Sequence, residues 1–161
     1  MKTLFIGLRA LVFMSGFILA ATWLLMAIRV LDGYFAWAPP EWLAYAAPLL
    51  VLPGAALVLA SGGVFVVRGR GTPAIFDPPR QFVSTGPYRY VRNPMYIGAL
   101  FLVAGFALLW QSATLLLAVP VVFAGAHLLV TLYEEPGLRR RFGTSYQSYC
   151  HDVSRWLPCA R

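Results

Sequence analysis

GPYRYVRNPMYIGALFLVAGFALLWQSATLLLAVPVVFAGAHLLVTLYEEP, residues 86–136, decides the architecture of this chain. A polar, proline-bearing segment passes at Asn93-Pro94 into an apolar run, 94–110. Gln111-Ser112 interrupts it, and a second apolar run, 114–133, ends at the acidic pair Glu134-Glu135. Asparagine is favoured just before a helix and proline at its first position, so the sequence predicts a helix starting at Pro94. So short a polar break predicts an antiparallel helical hairpin with a tight turn.

Two more apolar runs precede it. Residues 4–28 are interrupted only by Arg9, close enough to the start for its side chain to snorkel to an interface. The run outlasts the roughly 7–15-residue core of a cleaved signal and exceeds the ~20 residues a membrane crossing needs. Residues 43–67 form the second run, with Pro48 and Pro53 inside it and Trp37 and Trp42 where an aromatic belt would lie.

Composition agrees. Of 161 residues, 60% are hydrophobic and only 12% charged, against about 25% charged in soluble domains. A disordered chain is excluded. Two cysteines make no disulfide framework, and basic residues that flank apolar runs exclude a nucleic-acid-binding module, despite the net charge of +7. The fold class expected is an all-α integral membrane domain, 1–161, with four transmembrane helices at 4–28, 43–67, 94–110 and 114–133. A loop at 68–93 and an amphipathic tail at 134–161 then share one side with the N-terminus. That side holds Lys2, Arg68, Arg70, Arg80, Arg89, Arg92, Arg139, Arg140, Arg141, Arg155 and Arg161, whereas Arg29 lies opposite. The positive-inside rule makes both termini cytoplasmic. Compactness and the lack of an organelle address favour a bacterial-type inner membrane.

The tail carries further signals. Pro136 is expected to stop the fourth helix, and Gly143 to end a short Arg-rich helix. Thr144-Ser145-Tyr146-Gln147 fits a capping box opening another helix. Tyr146, Tyr149 and Val153 recur at i, i+3, i+7, and with Trp156 they describe an amphipathic segment lying on the membrane or over a site. Arg139, Arg140 and Arg141 read most simply as anchors to anionic lipid.

Ionisable groups bordering apolar helices are the sharpest chemical signal. His127, Thr131 and Glu134 fall at i, i+4, i+7 on one face of the fourth helix. The plainer role for His127 is an interhelical hydrogen bond, and for Glu135 a pair with Arg139. The hairpin brings Asn93-Pro94 beside Glu134-Glu135. A helix N-terminus with Arg92 suits a carboxylate, two acids suit an ammonium or a diol, and Tyr88, Tyr90 or Tyr96 suit a ring or a cation. Because adjacent acids point about 100° apart on a helix, both facing one ligand would require a break at Pro136. S-adenosylmethionine has this combination of groups, although spacing alone does not demand it.

The segment GPYRYVRNPMYIG, followed by the hairpin and then YEEPGLRRRFGTSYQSYCHDVSRWLP, resembles the isoprenylcysteine carboxyl methyltransferase family and the related membrane phospholipid N-methyltransferases. The likeness covers residues 72–158, while the first two helices match by hydropathy alone. It implies S-adenosylmethionine as cofactor, held at the cytoplasmic end of the hairpin by Tyr88, Arg92, Asn93, Pro94, Tyr96, Gly98, Glu134, Glu135, Tyr146 and Tyr149. Arg92 and Glu134 are the expected catalytic residues. The family usually carries histidine at position 93. Asparagine there can bind but cannot shuttle a proton near neutrality.

Other motifs carry less. Gly69-Arg70-Gly71-Thr72-Pro73-Ala74 fits a dinucleotide-binding pattern but follows an apolar helix rather than a strand. Cys150-His151 with Cys159 lacks metal-ligand spacing, so no metal is expected, and Cys159 is not placed for prenylation. The expected partners are the bilayer and a lipophilic or lipidated acceptor, most simply an isoprenylcysteine-type carboxylate. A phospholipid or other amine is the alternative acceptor. From outside the enzymes, the alternatives are a structural membrane subunit and a small transporter.

Overall fold

The computed structural model describes residues 2–69 and 82–158, and the described chain is helical with no strand. The dinucleotide-like motif from Arg70 onward, Arg80, Cys159 and Arg161 lie outside these residues. The elements are α1 (Lys2–Ile28), α2 (Pro48–Val64), α3 (Pro94–Leu109), α4 (Ala113–Leu129) and α5 (Glu135–Asp152). Short 3₁₀ turns stand at Arg29–Tyr34, Glu41–Ala46 and Gly86–Arg89, and single π-turns at Phe65–Gly69 and Val130–Glu134.

Two described helices are long and apolar enough to cross a membrane: Glu41–Arg68, 28 residues, and Ala113–Asp152, 40 residues. The first joins α2 to its flanking turns, and the second joins α4 to α5 through the π-turn. α3 has 16 residues, about 24 Å at 1.5 Å per residue, which is shorter than the ~30 Å hydrocarbon core. Pro48 lies within the Glu41–Arg68 span, as the sequence predicts, at the first turn of α2, where proline's missing N–H has no partner to lose. Pro53 and Pro120 are accommodated within α2 and α4.

Glycine sets the α2–α3 contact. A Cβ on Gly98 would lie 2.8 Å from the Gly54 carbonyl oxygen and 2.8 Å from a Val58 methyl, and one on Gly105 would lie 2.5 Å from a Val51 methyl. The two backbones approach this closely only because these positions lack side chains, the small-residue packing common between apolar helices.

The hairpin turn forms where the polar break predicts it. Gln111 takes the left-handed conformation, with φ of 53°, and Ser112 caps α4 by accepting the Leu115 N–H at 3.1 Å. A second cap arrives from far away in sequence. The Asp32 carboxylate accepts the Ser112 hydroxyl at 2.9 Å and the Thr114 N–H at 2.9 Å. Arg29 stands 3.8 Å from Asp32 and 5.0 Å over the Trp110 ring. This cluster ties the end of α1 to the hairpin, and an acid at a helix N-terminus is favourably placed.

Pro136 does not stop the helix at Glu134-Glu135. The chain continues from α4 through the π-turn into α5, where Pro136 occupies the first turn. Within the π-turn the Glu135 N–H reaches back five residues to the Val130 carbonyl. The wider turn lets proline enter without a lost hydrogen bond, since first-turn prolines need no donor. Gly143, with φ of 54° and ψ of −128°, interrupts α5 where the sequence predicts an end.

Candidate active site

The loop before α3, the start of α3 and the tail meet at Glu135. Its side chain is buried, at 6% exposure, which demands partners for the charge. Arg92 donates to its Oε1 at 3.0 Å. Arg155 forms a two-pronged contact, Nε to Oε1 at 2.7 Å and Nη2 to Oε2 at 3.1 Å, the geometry in which guanidinium binds carboxylate best. Arg139 adds a longer pair at 3.9 Å. Burial raises the Glu135 carboxyl, but the Arg155 hydrogen bond and the charges of Arg92, Arg155 and Arg139 outweigh it and hold it below the ordinary carboxylate range.

Glu134 has different company. It accepts the Tyr96 hydroxyl at 2.5 Å. Burial pushes its carboxyl up; the Tyr96 hydrogen bond opposes this and the neighbouring Glu135 charge reinforces it, leaving it raised.

The segment after α5 straps across the start of α3. The Arg92 N–H donates to the Ser154 carbonyl at 2.9 Å, and the Asn93 side chain to the Arg155 carbonyl at 3.2 Å. Asn93 therefore sits at the helix-cap position but caps nothing with its side chain, contrary to the sequence expectation. Its amide donor is recruited by the strap, and an amide N–H cannot satisfy another N–H. The Trp156 indole N–H donates to His127 Nδ1 at 3.1 Å, so His127 is hydrogen-bonded to the tail rather than to another long helix. The Thr131 hydroxyl turns back to the His127 carbonyl at 2.7 Å.

The tyrosines of the sequence motifs divide. Tyr88 is buried, packs on Phe65 with ring centres 5.0 Å apart, and accepts the Tyr149 hydroxyl on its carbonyl at 2.5 Å. Tyr146 is buried, and Phe82 stands edge-on to both Tyr146 and Tyr149 at 5.9 and 5.2 Å. Burial raises all three phenols, so they remain protonated. Tyr90 is exposed. Pro94 is buried, and Gly98 faces α2 across the close contact described above.

A cleft of about 390 Å³ opens beside this network, lined by Thr131, Glu135, Pro136, Arg139 and Arg155. Its size falls within the range of small-molecule sites, roughly 300–1,000 Å³. Arg155 is the residue that sequence reasoning passed over, counting it only toward topology. The available signal was its place in SRWLP, the end of the second quoted block.

A family model described as phospholipid methyltransferase matches residues 42–145, and the chain belongs to that family, whose members are membrane methyltransferases that generally use S-adenosylmethionine. No curated protein and no solved structure matches the chain. The matched region takes in α2, which the sequence motifs left to hydropathy, and stops before the strap.

The residues present fit such a cofactor. Three guanidiniums around one carboxylate leave a cationic surplus for an amino-acid carboxylate, while Glu135 supplies an anionic partner for an ammonium.

Proposed function

We propose that this protein is a four-span membrane enzyme that uses S-adenosylmethionine to methylate a lipophilic acceptor, most simply an isoprenylcysteine-type carboxylate, at the cytoplasmic end of the α3–α4 hairpin. Both termini lie on that side, in a bacterial-type inner membrane. The observation that carries the reading is the buried Glu135, shared by Arg92, Arg155 and Arg139 beside a cleft of about 390 Å³. One carboxylate does not neutralise three guanidiniums, so the cleft attracts a further anion.

In this reading Arg139 and Arg155 hold the cofactor's carboxylate, Glu135 its ammonium, and Tyr96 supplies aromatic surface. When bound, S-adenosylmethionine supplies an electrophilic methyl group on a sulfonium. The protein's part is to bind, align and exclude water, because displacement at a methyl group depends on orientation. Arg92 orients an acceptor carboxylate, which is ionised at neutral pH and needs no base. Glu134 stays close enough to Tyr96 to keep one face of the site polar.

A phospholipid amine is the second reading, and one observation favours it. The Glu134 carboxyl, raised by burial, is better suited to accept a proton from an ammonium than an exposed carboxylate is.

The test is calorimetric titration of detergent-purified, lipid-supplemented protein with S-adenosylhomocysteine, with Glu134→Ala/Glu135→Ala as control. Saturable binding that disappears in the control is the expected result. Folded protein that binds nothing refutes the enzyme reading and favours a structural subunit. Label transfer from S-adenosylmethionine, to a prenylcysteine in one arm and phosphatidylethanolamine in the other, then decides the acceptor.

A further inference from the structure

Trp156 comes from the polar end of the chain, yet it reaches inward past the level of Glu134. Its ring meets Phe123 at 5.1 Å, His127 at 6.1 Å and Tyr96 at 6.4 Å between ring centres. Phe123 lies one helical turn beyond His127 on α4, so the half-buried indole touches side chains of both α3 and α4 at an apolar depth. An indole N–H at that depth needs an acceptor, and His127 Nδ1 provides it at 3.1 Å. Because indole nitrogen only donates, Nδ1 must carry the lone pair.

The neighbouring residue links this contact to the cleft. Arg155 precedes Trp156 directly and grips Glu135 through two bonds, while its carbonyl is held by Asn93. Fixing Trp156 therefore fixes where the Arg155 backbone starts and which way its guanidinium points. None of His127, Trp156 or Phe123 lines the cleft.

We infer that His127 is a positioning residue: through Trp156 it seats the strap, and with it Arg155, against Glu135, so that the cleft is shaped before any ligand arrives. This rests on the proposed role of the cleft as the cofactor site. Pre-organisation of this kind lowers the cost of binding rather than the barrier to reaction.

The test compares His127→Leu, which loses the acceptor, with His127→Asn, whose side-chain oxygen can take the place of Nδ1. The His127→Leu variant is expected to raise the KM for S-adenosylmethionine by about tenfold with kcat within about threefold, and His127→Asn to restore the KM. A wild-type KM in the leucine variant, or equal damage in both, overturns the inference. If His127→Leu does not fold, Trp156→Phe removes the same hydrogen bond while keeping a ring, and the same rise in KM is expected.

A second readout needs no activity. Trypsin cleavage at Arg155, followed by mass spectrometry as release of residues 156–161, is expected to be slow in the wild type, faster in His127→Leu and slow again in His127→Asn. Equal rates in all three overturn the latch even if the protein binds the cofactor. Wild-type protein that fails to bind S-adenosylhomocysteine but shows the protease pattern refutes the cleft's proposed ligand and leaves the latch standing.

Discussion

Glu134 and Glu135 are consecutive in sequence, yet their carboxylates stand in opposite surroundings. Glu134 is capped by one neutral tyrosine hydroxyl at 2.5 Å, while Glu135 is gripped by Arg92 and Arg155 at 3.0 and 2.7 Å. Burial therefore prevails at the first and the guanidiniums at the second, and the two carboxyls shift in opposite directions. Paired acids with separated titrations are a common arrangement where two roles are divided.

Removing the Glu135 charge leaves buried guanidinium without its partner. Glu135→Ala is expected to cost about 3 kcal/mol, the scale for breaking a buried pair, and to abolish S-adenosylhomocysteine binding. Thermal unfolding in detergent measures the first and calorimetry the second.

The same residue predicts acid sensitivity. Its carboxyl lies below its ordinary value of 4.5 in the folded protein, so its stabilising contribution is fully present above pH 4.5. It is lost as pH falls through the depressed folded value. The stability gap between wild type and Glu135→Gln is expected to be constant near neutrality and to close below pH 4.5.

Glu134 behaves in the other sense. Its ionised form is lost on acidification at a pH above its ordinary value of 4.5. Tyr96→Phe removes the hydrogen bond that favours ionisation, so the carboxyl rises further. If ionised Glu134 serves the reaction, the acid limb of the kcat/KM profile is expected to move to higher pH in Tyr96→Phe. An unmoved limb assigns it to another group.

Gly98 separates packing from ligand binding. An added methyl meets the Gly54 carbonyl and Val58 at 2.8 Å, so Gly98→Ala is expected to destabilise by about 1–3 kcal/mol through overpacking. Affinity for S-adenosylhomocysteine in the folded fraction should stay within about twofold of wild type, whereas a large loss would return Gly98 to the cofactor site.

Asp32→Ala removes the distant cap on α4. A loss of about 1 kcal/mol is expected, typical of a helix cap, with unchanged affinity at the opposite end of the hairpin. Thermal unfolding and titration on the same preparation check both.

Much of the helical framework was legible because it depends on local rules. The start at Pro94, the turn at Gln111-Ser112 and the interruption at Gly143 each follow from the residues at that point. The hairpin placed the start of α3 beside the acids, but the pairing of Arg92 with Glu135 was not foreseen, since Arg92 was reserved for a ligand carboxylate. The π-turn was not legible, because Pro136 after two acids reads equally as a stop or as a first-turn proline. Asp32 on α4, Arg155 on Glu135 and Trp156 on His127 join residues far apart in sequence, which no periodicity records. Asn93 was placed correctly at the helix boundary but assigned the wrong partner, since a cap uses its oxygen and the strap uses its nitrogen.

A helix is a screw, and a surplus residue at Val130–Glu134 advances everything beyond it by about 100°. The π-turn thus acts as a phase shifter between two threads: the apolar face of α4 is dialled to one neighbourhood and Glu135, at the start of α5, to another. Deleting Leu132 alone would leave the amino-acid inventory of the site complete while turning its acids out of alignment. The angular setting of this site is written in chain length, and a change too small to alter hydropathy would be enough to undo it.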